Sequence, residues 1–152
     1  MADGVPVHVE CHEKDRFVLQ PEYLEKAITN KTKAIILTYP NNPTGAIMTK
    51  EELEKIAKVI IRHDLLVISD EIYAELTYGK RHYSIAQIDG MKERTVYVSG
   101  FSKAFAMTGW RMGYVCAPKE IDEAMFKIHQ YGIMCAPITS QYAAIEALKD
   151  GF

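Results

Sequence analysis

Cysteine is the first thing this sequence is short of. Cys11, Cys116 and Cys135 are odd in number, far apart and include no C-x-x-C pair, which excludes a disulfide scaffold and a structural zinc site. The histidines offer no metal set either. His8, His12, His63, His82 and His129 never fall at ligand spacing on one helix face, and His8 and His12 sit in a segment that alternates like a strand, which favours a structural role. No metal is expected. An excess of one charge is missing too: 18 basic residues against 20 acidic leave a net charge of -2, with no long basic run. Neither nucleic acid nor an anionic membrane surface is therefore an expected partner. There is no signal-peptide pattern and no apolar run long enough to span a membrane, so a cytoplasmic, reducing setting is the default expectation. Repeats, low-complexity tracts and linkers are absent as well.

What the sequence does have is a steady alternation of strand and helix. With 48% apolar and 25% charged residues over 152 positions, it can bury the core of one ordinary domain. Val5 to Glu10 reads as a short strand, and Pro21 to Asn30 as a helix begun by proline in its first turn. Ala34 to Thr38 (AIILT) is an apolar, β-branched run of the kind buried in a parallel sheet. Thr49 with Glu52 forms a capping-box pattern ahead of an apolar stripe of Leu53, Ile56, Ala57 and Ile60. Leu65 to Ser69, Thr95 to Ser99 and Gly113 to Ala117 are further buried-strand runs. A helix is expected from near Pro118 towards Tyr131, and another over Thr139 to Lys149 with Tyr142, Ile145 and Leu148 on one face. The class is α/β with a mostly parallel sheet.

Polar and special residues cluster just past the ends of successive strands: Asn41 to Gly45, Asp70 to Tyr73, and Ser99 to Lys103. In open α/β sheets that edge is where ligands bind, so these loops converge on one expected site. Lys103 follows a buried strand among small and hydroxyl residues, a setting for an amine in a partly dry pocket. Desolvation there favours the neutral, nucleophilic form. Arg111 has a planar fork suited to phosphate. Read alone, Asp70 and Glu71 would be a solvated acidic pair at a helix start, and YPNNPTG (Tyr39 to Gly45) a turn.

The string SGFSKAFAMTGWRMGY (Ser99 to Tyr114) resembles the cofactor-attachment motif S-x-x-S-K-x-x-x-x-x-G-x-R-x-G of class I/II pyridoxal-phosphate-dependent aminotransferases of fold type I. YPNNPTG is similar to that family's N-P-T-G loop, and SDEIYAEL (Ser69 to Leu76) to its D-x-x-Y element, all in the family's order. The resemblance covers essentially the whole chain. It implies a three-layer α/β/α fold with a mostly parallel sheet, of which residues 1–152 would be a partial large domain, and pyridoxal 5'-phosphate as cofactor.

By the same resemblance, Lys103 is the Schiff-base lysine that also moves the substrate proton, and Arg111 binds the phosphate. Asp70 faces the pyridine nitrogen and keeps it protonated, while Asn42 and Tyr73 meet the phenolic oxygen. The Asn42–Pro43 bond is expected to be cis. Where the family often has a hydroxyl three residues before the lysine, this chain has Gly100; Ser99, then Ser102, are the nearest candidates to bind phosphate. Trp110 and Phe101 are expected to pack the loop, and Tyr83 could lie at the surface or reach a neighbouring subunit.

The implied activity moves an amino group between an L-amino acid and a 2-oxo acid, with a lean towards the aspartate, aromatic or diaminopimelate-type branch. A C–S lyase of the same fold and a non-catalytic interaction module are the alternatives. The sequence opens at Met1 on what reads as the middle of a sheet and stops at Gly151 and Phe152 in or just after a helix. That layout suggests a piece of a longer enzyme, lacking the N-terminal part and the C-terminal small domain, and inactive alone. Exposed strand edges and apolar faces would then favour a homodimer or larger assembly.

Overall fold

The structure is a computed structural model that describes residues 3–151. Met1, Ala2 and Phe152, on which the expected opening within a sheet and close at a helix partly fall, lie outside the described residues. Helix α1 (Pro21–Ala27) has proline in its first turn, where the missing N–H costs nothing. It stops short of the expected Asn30 because Ile28 is extended and the Thr29 amide donates instead to the Thr32 hydroxyl at 2.9 Å. Such local side-chain bonds offer the backbone an alternative to the helical ladder.

Strand β1 (Ala34–Thr38) is followed by α2 (Lys50–Arg62). The capping box is present: the Glu52 amide donates to Thr49 Oγ1 at 3.2 Å, and the Thr49 amide to Glu52 Oε2 at 2.8 Å. Leu53, Ile56, Ala57, Val59 and Ile60 are all buried. A fully buried Leu or Ile side chain contributes about 1.5–3 kcal/mol, which makes this stripe the main anchor of the N-terminal half.

Strands β2 (Leu66–Asp70), β3 (Thr95–Gly100) and β4 (Gly113–Cys116) complete a four-stranded sheet of order β1-β2-β3-β4. β1, β2 and β3 run parallel, and β4 returns antiparallel to β3. The expected mostly parallel α/β architecture is observed. Register puts Leu37, Ser69 and Tyr97 on one face, with Val67 paired to Ile35 beside them. This face is covered, and Leu37 and Val67 join Ile56, Ile60, Leu65 and Met91 in the principal core. The other face carries Ile36, Ile68 and Val115, which remain 67%, 37% and 41% exposed.

Val5 to Glu10 does not form the expected strand. The segment alternates in sequence, but no strand pairs with it and only Val9 and Cys11 lean on the core. Alternation supplies a face, whereas a strand also needs a partner for its N–H and C=O groups.

The C-terminal part packs differently. Helix α3 (Lys119–Gly132) buries no residue. Helix α4 (Ile138–Asp150) docks through small residues: Ala144 meets Phe101 and Met107, and Ser140 Oγ donates to the Trp110 carbonyl at 2.6 Å. Its Tyr142, Ile145 and Leu148 do share a side of the helix, but that side faces outward. Small side chains allow the closer approach to the loop, so they and not the bulky stripe make the contact. Among the described residues no helix is long and apolar enough to cross a membrane.

Candidate active site

The carboxyl ends of β1, β2 and β3 each lead into a loop that carries expected site residues. After β1, the chain turns through Asn41 and Asn42, and both Tyr39–Pro40 and Asn42–Pro43 are cis. The second was expected and the first was not. Asn41 holds the turn: its amide donates to the Ala46 carbonyl at 2.9 Å, and its Oδ1 accepts from Thr44 Oγ1 at 2.8 Å. That leaves the Asn42 side chain exposed, with Nδ2 donating to Tyr73 Oη at 3.2 Å.

After β2, no helix begins. Asp70 Oδ1 accepts the Ile72 amide at 3.2 Å, which fixes the half-buried carboxylate at the strand end. Tight turns then follow, with the Ala74 amide donating to Glu71 O at 3.0 Å and the Leu76 amide to Tyr73 O at 2.9 Å. They present Tyr73 to Asn42 from one side and to Lys103 from the other. Lys103 Nζ lies 5.5 Å from the Tyr73 ring centroid, within range of a cation–π contact.

Lys103 and Arg111 belong to one loop between β3 and β4. Its base is closed by the Phe101 amide donating to Met112 O at 3.2 Å. Inside it, Thr108 Oγ1 donates to the Ser102 carbonyl at 3.0 Å, and Arg111 Nη1 donates to Thr108 O at 2.7 Å. Thr108, which sequence reading passed over, therefore ties the guanidinium to the lysine's end of the loop. Arg111 is exposed and takes a left-handed backbone (φ 52°). Phe101 is buried in the C-terminal core, and Trp110 is 46% exposed.

The two serines differ. Ser99 lies on the sheet face opposite Asp70, where its Oγ reaches the Glu71 carbonyl at 3.4 Å, a weak bond. The Ser102 hydroxyl is half-buried and makes no hydrogen bond among the described residues. Gly100 has a reason of its own: a Cβ there would meet Gly113 Cα and the Met112 carbonyl at 2.9 Å. A hydroxyl-bearing residue cannot occupy this position while β3 and β4 approach so closely. Tyr97, beside Ser99, stacks on Tyr114 with centroids 6.2 Å apart, and burial pushes its phenol up to about 12.

A cleft of about 550 Å³ opens beside the Asn42–Tyr73 pair, between Pro43 and Ile47 on one side and Leu76 and Tyr78 on the other. Asp70, Lys103 and Arg111 lie outside it. Sequence reading also missed Glu71. It is buried to 2% exposure and bonded to Ser69, Ser84 and His82, unlike the solvated pair that Asp70 and Glu71 suggest when read alone. Tyr83 leans on the principal core, its ring 5.6 Å from Lys50 Nζ.

Amide, phenol, carboxylate, amine and guanidinium lie along one sheet edge outside the strand ends, the place where open α/β sheets bind their ligands. Comparison with known proteins gives the family. The model of aminotransferase class I and II matches residues 1–152. A putative aminotransferase of Bacillus subtilis is 54% identical over 151 residues, 99% of this chain and 39% of that protein. An aspartate aminotransferase of Pyrococcus abyssi is 50% identical over the same span of this chain. The crystal structure of an aromatic aminotransferase from Pyrococcus horikoshii superposes with a TM-score of 0.93 at 53% identity, over 95% of this chain and 39% of that one. The chain belongs to the aminotransferase class I and II family, and it spans about two fifths, 39%, of the length of the curated relatives it matches.

Proposed function

We propose that residues 1–152 form part of the cofactor-binding large domain of a pyridoxal-phosphate-dependent aminotransferase. The observation that carries this reading is the cluster of Asn42, Tyr73 and Lys103, in which an amide–phenol pair stands next to a primary amine.

The donor set fits pyridoxal 5'-phosphate. Lys103 offers the amine for its aldehyde, and Asn42 with Tyr73 offers donors to its phenolic oxygen. Asp70 offers a carboxylate to its ring nitrogen, while Arg111, with Ser102, offers donors to its phosphate; Ser99, the first candidate by sequence, points to the opposite sheet face. When bound, that cofactor supplies an electron sink for the bond broken at the substrate Cα. The protein's part is positional and electrostatic. Asp70, braced by the Ile72 amide, holds a negative charge where a cationic nitrogen would lie. The Lys103 amine would serve as the base that takes the Cα proton and hands it to the carbon that receives it in the transfer.

The substrates in this reading are an L-amino acid and a 2-oxo acid. Relatives named for aspartate and for aromatic substrates support the aspartate, aromatic or diaminopimelate-type branch. Exposed Phe126, Ile128 and Tyr131 support assembly into a homodimer or larger species, and a cytoplasmic setting completes the reading.

The test is to add pyridoxal phosphate to the purified chain, record the visible absorption band, reduce with borohydride and map the label. One adduct at Lys103, abolished in Lys103→Ala, is expected. Label scattered over many lysines would sink the proposal.

A further inference from the structure

Glu71 is a carboxylate that the proposed chemistry does not use, yet it is 2% exposed. Burial of an ionisable group at that level is tolerated where its lone pairs are met. Here Oε1 accepts from Ser69 Oγ at 2.8 Å and from Ser84 Oγ at 2.6 Å, and Oε2 lies 2.5 Å from His82 Nε2. His82 Nδ1 is enclosed without a partner. A proton there would be an unmet buried donor, which favours the tautomer whose Nε2–H is given to Glu71.

These partners come from well-separated places. Ser69 is in β2, whereas His82 and Ser84 lie beyond the exposed tip at Tyr78 to Arg81, with Ser84 13 residues from Glu71. The carboxylate thus joins the two ends of the excursion that carries Tyr73, Leu76 and Tyr78. The Glu71 backbone is fixed as well: its amide donates to Val98 O at 2.9 Å, and its carbonyl accepts the Ala74 amide and Ser99 Oγ. Strand alternation sends Asp70 to one sheet face and Glu71 to the other, so the clip grips the loop from behind the site without entering it.

We infer that Glu71 is a positioning residue: with His82, Ser84 and Ser69 it closes the 71–84 loop and so holds Tyr73 against Asn42 and one wall of the adjacent cleft. The consequence for cofactor binding rests on the function proposed above, while the consequence for the loop does not.

Three variants separate the possibilities. Glu71→Gln keeps the shape but loses the charge. His82→Leu removes the donor, and His82→Gln replaces the imidazole N–H with an amide N–H. In the protein without cofactor, amide hydrogen exchange at Ala74 and Leu76 is expected to quicken about tenfold in Glu71→Gln and His82→Leu, as one lost charged hydrogen bond would give. It should return to within about twofold of the parent in His82→Gln, with amides of β1 unaffected throughout. Pyridoxal phosphate affinity is expected to fall about tenfold in Glu71→Gln. In a Tyr73→Phe background the same change should have almost no further effect, because the two act through one contact.

Unchanged exchange at Ala74 and Leu76 in both Glu71→Gln and His82→Leu would overturn the inference. Fully additive affinity losses would overturn it too, since Glu71 would then not act through Tyr73. If the parent chain binds no pyridoxal phosphate, the cofactor reading fails, and the exchange data still decide the clip. Should Glu71→Gln not fold, the pair His82→Leu and His82→Gln makes the same decision.

Discussion

Helices α2 and α3 are 13 and 14 residues long, both follow a strand, and both have an apolar side. α2 buries Leu53, Ile56, Ala57, Val59 and Ile60 against the covered face of the sheet. α3 buries nothing, and its Phe126, Ile128 and Tyr131 are 62%, 76% and 92% exposed. The helices differ in what they follow. α2 lies between parallel strands, and the crossover that joins those strands must lay it on the sheet. α3 leaves β4, an antiparallel edge strand all of whose residues are exposed, and among the described residues no strand follows it. An apolar stripe is therefore a statement about what a helix could bury, and the elements that lie against it decide whether it does.

The largest effect that would sharpen this contrast is at Ile56, which is fully buried. Ile56→Ala should lower unfolding stability by about 2–5 kcal/mol, read from denaturant midpoints at constant m-value. A loss near zero would mean that α2 is no better seated than α3. Next is the helix start: Thr49→Ala removes the cap hydroxyl and should cost about 1 kcal/mol in the same assay.

The boundary between the regions has its own probe in Tyr97, whose phenol burial pushes up to about 12. In the unfolded chain a tyrosine ionises near about 10. The folded state thus keeps a proton that the unfolded state loses, and the contribution is complete below pH ~10 and disappears as pH rises through ~12. Because Tyr97 is only half-buried, the slope should be modest. Loss of that slope in Tyr97→Phe is the check. The smallest effect should be at Phe126, where Phe126→Ala in the chain diluted until it is monomeric should stay within about 0.5 kcal/mol of the parent. A loss of several times that size would show that something covers α3 in solution.

The same contrast explains what could be read from the sequence. β1 to β4 fall within a residue or two of the apolar runs that predict them, because a β-branched run between turn residues has few other uses. The capping box at Thr49 and Glu52 is local chemistry and was equally legible, whereas the cis Asn42–Pro43 bond was implied only by the family resemblance. Asn42, Tyr73 and Lys103 were brought together because strand ends of a parallel sheet share an edge.

What escaped depended on partners remote in sequence. Val5 to Glu10 had the alternation of a strand but no neighbour to pair with. Tyr142, Ile145 and Leu148 formed a stripe, while Ser140 and Ala144 made the contact. Glu71 looked solvated because its ligands, His82 and Ser84, lie across a loop whose closure no local pattern announces. Thr108 was overlooked because its use is a carbonyl and a hydroxyl turned towards Ser102 and Arg111, which the residue type alone does not specify.

The close approach of Gly100 to Gly113 bears on more than the fit of two strands. With the Phe101–Met112 bond it shuts the foot of the loop that holds Lys103 and Arg111. The amine and the guanidinium therefore ride on a single buckled hairpin, and the gap between them is fixed by that hairpin's own hydrogen bonds. Such a device works as a calliper. In the function proposed above, a cofactor held by Lys103 at one end and Arg111 at the other would have its length gauged by that one hairpin.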